Sequence, residues 1–361
     1  MQNKEETMKI KEEKHQKKNK EEKHQKKNKE EKYQKINKEE KDQKNKEEKD
    51  QKNKEEKDQK NKEDLFEQKE RLGKGAFGVV RHVIEKSSQL HMAWKEMDYE
   101  EDEEEIKQMV INEKDQALNA YRILAQAVNS QQQFLHVVQP LGFFVNEDIH
   151  RAYLVMEYCS GGDLRKYINN MKKSGMEISP KKCYQIMWQI GSSLCQLHTS
   201  MIMHMDLKPE NVLLTEEFMV KLSDFGLSRQ LQVGREYVTA HGGTFLFQAP
   251  EVLRNKSKEK KEKGPKQKIV QTPACDIWAF GVMMFELLAQ RHPFFDSQDE
   301  DIPAEEFIHR VVNLPPAELP DHYPLKLRSL IKQMLEKDPS QRISAEEILN
   351  VPEVAAQLPG K

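Results

Sequence analysis

From Lys11 the chain repeats itself almost verbatim, as KEEKHQKKN twice, KEEKYQKIN once and KEEKDQKN three times, with almost no apolar side chains. Stacking such units buries no core, so a solenoid is excluded and whatever folds into a compact body must begin after the tract. Two readings of the tract stay open. It is disordered, because too little hydrophobic surface offsets chain entropy, or it is an isolated charged helix. The second is supported by Glu40 with Lys44 and Asp42 with Lys46, whose i to i+4 order stabilises an exposed helix by roughly 0.2–0.5 kcal/mol per pair. Asn and Asp in the later units lower that helicity. Either way residues 1–63 are a tail or spacer without chemistry.

The tract dilutes the composition to 36% hydrophobic and 33% charged residues. Residues 1–63 hold 23 Lys against 18 Asp and Glu, a balance of +5, which leaves −7 for the remainder of a chain whose net charge is −2. Neither part is charged strongly enough to imply nucleic acid. Cys159, Cys183, Cys195 and Cys275 form no close metal-like pairs and nothing resembles a secretory signal, so free thiols and a reducing, cytoplasmic setting are expected. The longest apolar run, Ile277 to Ala289, is too short to span a bilayer and contains Glu286; it reads as a buried core helix. No membrane partner is expected, and nothing sets an oligomeric state.

At Leu65 the pattern changes to strand-like segments separated by glycine turns. MAWKEM and AYLVMEY read as strands, and EEIKQMVINEKDQALNAYRILAQ as one long helix. Beyond them the chain is mainly helical: Ser179 and Pro180 supply an N-cap and first-turn pair, and Ser344 with Glu347 makes a capping box. Strands first and helices later give an α+β protein, a small sheet lobe with one long helix followed by a larger helical lobe, with a ligand cleft between them.

GKGAFGVV, Gly73 to Val80, is a glycine-rich turn whose backbone can approach phosphates. A Rossmann turn would open a helix and a P-loop would continue with Lys and Ser or Thr, whereas Gly78 leads into VVRHVI; a hairpin lid remains. Lys95 sits among apolar neighbours, and a buried ammonium there needs phosphate or carboxylate partners. Glu113, in the middle of the long helix, is the candidate carboxylate, with Glu104 or Glu105 as fallback, while the acidic cluster from Glu101 to Glu105 reads as a solvated helix start. In HMDLKPEN, His204 to Asn211, an acid, a base and a carboxamide stand within one octet. VLLTEEFMVKLS after it reads as a hairpin, which brings Asn211 and Asp224 to one small volume. An amide oxygen and a carboxylate there suit Mg²⁺, with Asp206 beside them and Lys208 adding positive charge.

GKGAFGVV, MAWK, HMDLKPEN, the DFG at Asp224 to Gly226, the APE at Ala249 to Glu251 and DIWAFG at Asp276 to Gly281 together resemble the eukaryotic protein kinase family over roughly Leu65 to Val351. The resemblance implies a lobe and hinge over 65–158, a second lobe over 159–351 and a short tail over 352–361. It implies that Gly73, Gly75 and Gly78 cover the phosphates of ATP, and that Lys95 holds the α and β phosphates and pairs with Glu113. It makes Asp206 the catalytic base, assisted by Lys208 and Thr244, and makes Asn211 and Asp224 the Mg²⁺ ligands. Met156 becomes the residue at the back of the nucleotide pocket, Glu157 to Cys159 the adenine-facing hinge, and Asp163 a ribose contact that serves equally well as a helix cap. Lys74, Ala76, Phe77, Val80, Ala93 and Leu213 fall around the nucleotide on the same pattern, and Arg342 becomes the partner of Glu251. Lys208 and GTFLFQAPE, with Thr244, resemble the serine/threonine branch, so the expected partners are ATP and protein substrates with Ser or Thr acceptors. A nucleotide-binding scaffold without catalysis is the alternative.

The chain departs from that pattern in three places, one of them the acidic approach MDYEEDEEEIKQ, an extended connection between Lys95 and the long helix that brings in Glu104 or Glu105 as alternatives to Glu113. Most family members carry arginine where Met205 stands, and a thioether forms no charge-assisted contact with a phosphate. Phosphorylation of Thr239, Tyr237 or Ser228 is therefore not expected to order the segment in the usual way, unless Arg229 or Arg235 receives the phosphate. Between Glu251 and Asp276 the chain inserts a run with 8 basic and 2 acidic residues over 254–268. It reads as a solvated loop or as a dock for an acidic partner, and resembles a weak nuclear-import signal.

Overall fold

The computed structural model describes residues 62–75, 78–99, 104–131, 136–231, 238–239, 244–259, 270–295 and 302–358. The repeat tract, Ala76, Phe77, Tyr237, Arg235 and most of the basic insert lie outside them. The chain divides between Asp64 and Leu65, and the elements below belong to the second unit.

Five strands, β1 (Phe66–Gly75), β2 (Gly78–Glu85), β3 (His91–Asp98), β4 (Pro140–Asn146) and β5 (Arg151–Glu157), form an antiparallel sheet in the order β1-β2-β3-β5-β4. Met92 to Met97 are buried without a break because β3 is covered on both faces. On one face Trp94 packs with Val83, Phe144, Tyr153 and Phe66. On the other, Met97 and Leu154 meet Val110 of the long helix α1 (Glu104–Gln131). Lys95 alternates with Trp94 and so shares the helix-facing side with Met97.

The second lobe carries β6 (Gly162–Asp163), α2 (Leu164–Ser174), α3 (Pro180–Thr199), β7 (Ile202–Met203), β8 (Val212–Leu214), β9 (Val220–Leu222), β10 (Arg229–Gln230), β11 (Val238–Thr239), α4 (Pro250–Glu259), β12 (Val270–Gln271) and α5 (Ala274–Ala289). It ends in α6 (Ala304–Asn313), α7 (Leu325–Met334), α8 (Ala345–Leu349) and α9 (Pro352–Ala355). The caps fall where the sequence places them: Ser179 accepts from Lys182 N at 3.3 Å, and Ser344 and Glu347 close a capping box. The apolar run is α5, buried from Cys275 to Leu288 at the centre of the helical lobe. Among the described residues no helix is long and apolar enough to cross a membrane, and all four cysteines are free. The tail expected from residue 352 begins later, because α9 packs on the fold with Val354 fully buried.

Glu251, in the first turn of α4, receives both arms of the fully buried Arg342 guanidinium at 2.9 and 3.0 Å. Arg342 also donates to Ala274 O and Glu336 O, at 2.7 and 2.8 Å, and lies over the Trp278 ring. Glu251→Ala strands this cation and is expected to destabilise the fold by about 3–5 kcal/mol. Urea denaturation measures it, and a midpoint equal to wild type would contradict the assignment.

His292 is buried with its ring fixed as one neutral tautomer, Nε2 donating to Leu246 O at 3.0 Å and Nδ1 accepting from Phe294 N at 3.2 Å. Burial pushes its pKa down to about 3. The unfolded chain therefore takes up the proton first, and stability falls as pH drops below about 6.5. Between pH 7 and pH 5 this side chain is expected to remove about 2 kcal/mol. The measurement is the difference in pH slope between wild type and His292→Gln; parallel slopes would show that the ring protonates freely in the fold.

Candidate active site

His204 to Leu207 are buried in succession just after β7. They are pinned from α5, where Asp276 accepts His204 N and Met205 N at 2.9 Å each and His198 Nε2 at 2.9 Å. Burial opposes the Asp276 charge, but the His198 hydrogen bond, the neighbouring histidines and Met205 N hold its carboxyl below the usual carboxylate range. The anchor matters because Met205 has φ 67°, a left-handed conformation uncommon for a residue with a Cβ. That bend turns the next residue, Asp206, toward the cleft.

Asp206 is 8% exposed and accepts four hydrogen bonds from side chain and backbone. Its Oδ1 takes Thr244 N at 2.9 Å and Thr244 Oγ1 at 2.8 Å, and its Oδ2 takes Lys208 Nζ at 2.7 Å and Asn211 Nδ2 at 3.0 Å. Lys208 Nζ also donates to Thr244 Oγ1 at 2.8 Å, closing a three-membered network. The carboxylate is thereby fixed in orientation with a cation beside it, the arrangement required of a positioned proton acceptor. The sequence-named trio Asp206, Lys208 and Thr244 is brought together across nearly forty residues of chain.

The expected hairpin is present: β8 pairs with β9, Val212 opposite Leu222, and the turn lies at Thr215 to Phe218. Its mouth is tied by Ser223, whose N and Oγ donate to Asn211 O at 2.9 and 3.1 Å. Asp224 follows with φ 62° and accepts Lys95 Nζ at 3.3 Å. Burial works against its ionisation, yet the Lys95 ammonium, with His204 and Lys208 beyond, holds its carboxyl below the usual range. The donor set fits Mg²⁺. The Asn211 amide nitrogen is spent on Asp206 O, at 2.7 Å, and on Asp206 Oδ2, which leaves a hard oxygen beside a carboxylate. Among the described residues no group of three or more His, Cys, Asp or Glu forms a cage for a metal.

Lys95 is 4% exposed in β3 and stands opposite Val80 of β2, while Ala93 stands opposite Met156 of β5. With the two-residue period of a strand, Val80, Ala93, Lys95 and Met156 line one side of the sheet. Gly75 pairs with Gly78 at the end of the hairpin. Gly78 is required by its neighbour strand, since a Cβ there would lie 1.8 Å from Glu96 O. Gly73 has open space where a Cβ would be, and Lys74 is exposed. Glu113 lies within α1, but its side chain is outside the described set, as are those of Glu104 and Glu105.

In the hinge the Glu157 carboxylate turns to Gln139 N at 2.7 Å and Lys221 Nζ at 2.9 Å, and Glu157 N donates to Gln139 O at 2.9 Å. Cys159 is buried, and burial, with the charge of Glu157, pushes its thiol up to about 12. Asp163 caps α2 by accepting Lys166 N at 2.8 Å, as one of its two sequence readings required. Lys166 Nζ then reaches Leu72 O at 3.1 Å, joining the two lobes at the cleft mouth. Leu213, half-buried in β8, stands opposite Asp163. Sequence reasoning assigned no role to Asp276 beyond its motif and none to His198; their partners lie more than seventy residues apart, so no local spacing reveals them.

The protein kinase domain family matches residues 66–353 of the chain. A probable serine/threonine-protein kinase nek2 of Dictyostelium discoideum is 28% identical over 79% of the chain and 62% of its own length. The G2-specific protein kinase nimA of Emericella nidulans is 28% identical over 80% of the chain and 41% of its own length. The serine/threonine-protein kinase Nek5 of Homo sapiens is 29% identical over 82% of the chain and 37% of its own length. The chain thus spans between about a third and two thirds of these relatives.

Asp276→Asn keeps one acceptor oxygen but presents an amide N–H to a backbone N–H, leaving a buried donor unpaired. We expect a loss of about 1–3 kcal/mol in stability, with faster hydrogen exchange at the amides of His204 and Met205. Unchanged protection of both amides would show that the loop is held by other contacts.

Proposed function

The chain belongs to the protein kinase family, and on that premise we propose that it is a serine/threonine protein kinase, transferring the γ-phosphoryl group of ATP to Ser and Thr hydroxyls of protein substrates. The observation that carries this reading is the oriented Asp206 carboxylate, bonded to Lys208, Asn211 and Thr244, beside the Lys95–Asp224 pair. A scaffold that only holds nucleotide has no need of a proton acceptor fixed from both oxygens. The names of the relatives support the hydroxyl class.

When bound, Mg²⁺ and ATP supply the phosphoryl group and much of the charge neutralisation, with Asn211 and Asp224 the residues that would hold the ion. Lys95 is seated to hold phosphate oxygens. It already stands against Asp224, so its charge works on both the metal side and the phosphate side. Asp206 orients the incoming hydroxyl and accepts its proton. Lys208, bonded to Asp206 and Thr244 together, places fixed positive charge next to the developing negative charge, so the residues act by position and electrostatics. Thr244 stands at the edge of the acceptor site and holds Asp206 through a backbone and a hydroxyl donor. The half-buried Met156, the hinge through Cys159 and the sheet face of Val80 and Ala93 would supply the apolar side of a nucleobase site.

With purified protein, Asp206→Asn is expected to lower phosphoryl transfer by about 10²–10⁴-fold while nucleotide binding persists, and Asp224→Ala is expected to abolish transfer. Peptides differing only in a Ser, Thr or Tyr acceptor test the hydroxyl class. Equal activity of wild type and Asp206→Asn, or a preference for Tyr, would overturn the corresponding part of the proposal.

A further inference from the structure

Gln116 lies on α1, three residues after Glu113 and on nearly the same side of the helix. Its carboxamide orientation is set by its partners: the nitrogen faces Gly226 O at 2.6 Å and Phe225 O at 3.0 Å, and the oxygen faces Arg229 Nη1 at 2.9 Å. Every polar site used here is thus complementary. Both carbonyls belong to the turn that directly follows Asp224, and that turn starts from the left-handed Asp224 backbone at φ 62°. Arg229 is itself held, since β10 pairs with β7 with Arg229 opposite Met203, and its guanidinium donates to Ser228 O at 2.8 Å.

The turn is packed as well as hydrogen-bonded: Phe225 is buried against the His204 ring, and its carbonyl also accepts Ser228 N at 2.9 Å. Beside it an open pocket of about 310 Å³ is lined by Asn112, Asp115, Gln116, Asn119, Ser228 and Arg229. At α1, where this pocket opens beside it, the turn is met by the Gln116 carboxamide. The loop of His204 to Asn211 offers no base for a phosphate at residue 205, because Met205 is a buried thioether.

We infer that Gln116 is a positioning residue for the reaction: its carboxamide, docked on the carbonyls of Phe225 and Gly226 and backed by Arg229, holds the metal-side carboxylate of Asp224 in place and ties it to α1 without any phosphate. The inference rests on the kinase reading, since it assigns a role toward Mg²⁺ and nucleotide. Removing the donor frees a strained turn, so Asp224 is present but no longer pre-set for the ion. Affinity for nucleotide in the absence of Mg²⁺ depends on the nucleobase site and on Lys95 and is left unchanged. The increment that Mg²⁺ adds to nucleotide affinity is what falls.

The test is calorimetric titration of the full chain with ADP, with Mg²⁺ and with chelator, for wild type, Gln116→Leu and Gln116→Glu. Leu removes both functions of the amide. Glu keeps an acceptor for Arg229 but has no donor for the two carbonyls, and also serves if the Leu variant does not fold. Both variants are expected to lose the Mg²⁺ increment by about tenfold with metal-free affinity unchanged, and faster hydrogen exchange over residues 225–229 is expected to accompany the loss. Wild type treated with phosphatase is expected to keep the full increment. A wild-type increment retained by Gln116→Glu overturns the donor role, an equal fall in metal-free affinity reduces Gln116 to a structural residue, and loss of the increment on phosphatase treatment overturns independence from phosphate. Wild type that binds no nucleotide under either condition would instead count against the kinase reading itself.

Discussion

One buried carboxylate determines where Asp206 stands. Asp276 enters the interior at the first turn of α5, where the helix dipole favours a negative charge, and it collects the backbone N–H groups of His204 and Met205 together with the His198 ring. Without those bonds the left-handed Met205 has no evident reason to persist, since a residue with a Cβ at positive φ is held only where its surroundings over-determine it. The bend at Met205 aims Asp206 at the cleft, and the bonds from Lys208, Asn211 and Thr244 then fix the carboxylate in the plane of its task. Stability and reactivity meet here. The most buried helix of the larger lobe is also the mount for the loop that carries Asp206.

A second chain of dependence runs from the sheet. Lys95 is isolated from water on β3 and would be expensive as a lone cation; Asp224, across the cleft, stands 3.3 Å from its ammonium, and each lowers the penalty of burying the other. The attraction spans the two lobes, so it also sets their spacing. Lys166 reaching Leu72 O at the outer edge adds a weaker, exposed tie between the same lobes. Nucleotide phosphates would insert into a field already arranged by the chain, which is the meaning of electrostatic preorganisation in such a site.

What was legible in the sequence was what short spacing or local pattern encodes. The hairpin that brings Asn211 to Asp224, the caps at Ser179 and Ser344 and the burial of α5 follow from turn residues, N-cap chemistry and apolar density, and all are found as read. Asp163 had two readings, and the capping one is realised. What escaped was tertiary. Asp276, His198 and Gln116 take their meaning from groups far away in the chain, and Gln116 is an ordinary polar residue on a helix until Phe225, Gly226 and Arg229 are set beside it. The hinge shows the same limit, because the partners of the Glu157 carboxylate, Gln139 N and Lys221, lie 18 and 64 residues away. Fold class came from order and period. The wiring of the site came from contacts that neither order nor period contains.

Two residues with left-handed backbone, Met205 at φ 67° near the start of the octet and Asp224 at φ 62° just after the hairpin, bracket the segment that carries the site. Each introduces a sharp change of direction directly before or at a functional carboxylate, and each is held from outside its own loop. The first is held by Asp276. The second is held by Lys95 at its side chain and by Gln116 at the carbonyls that follow it. Strain at both positions is therefore matched by hydrogen bonds from rigid elements, α5 below and β3 with α1 above, so the two carboxylates are placed by opposite lobes. A group that acts on either support, at α1 or at the start of α5, acts on the geometry of the reaction without touching nucleotide or hydroxyl.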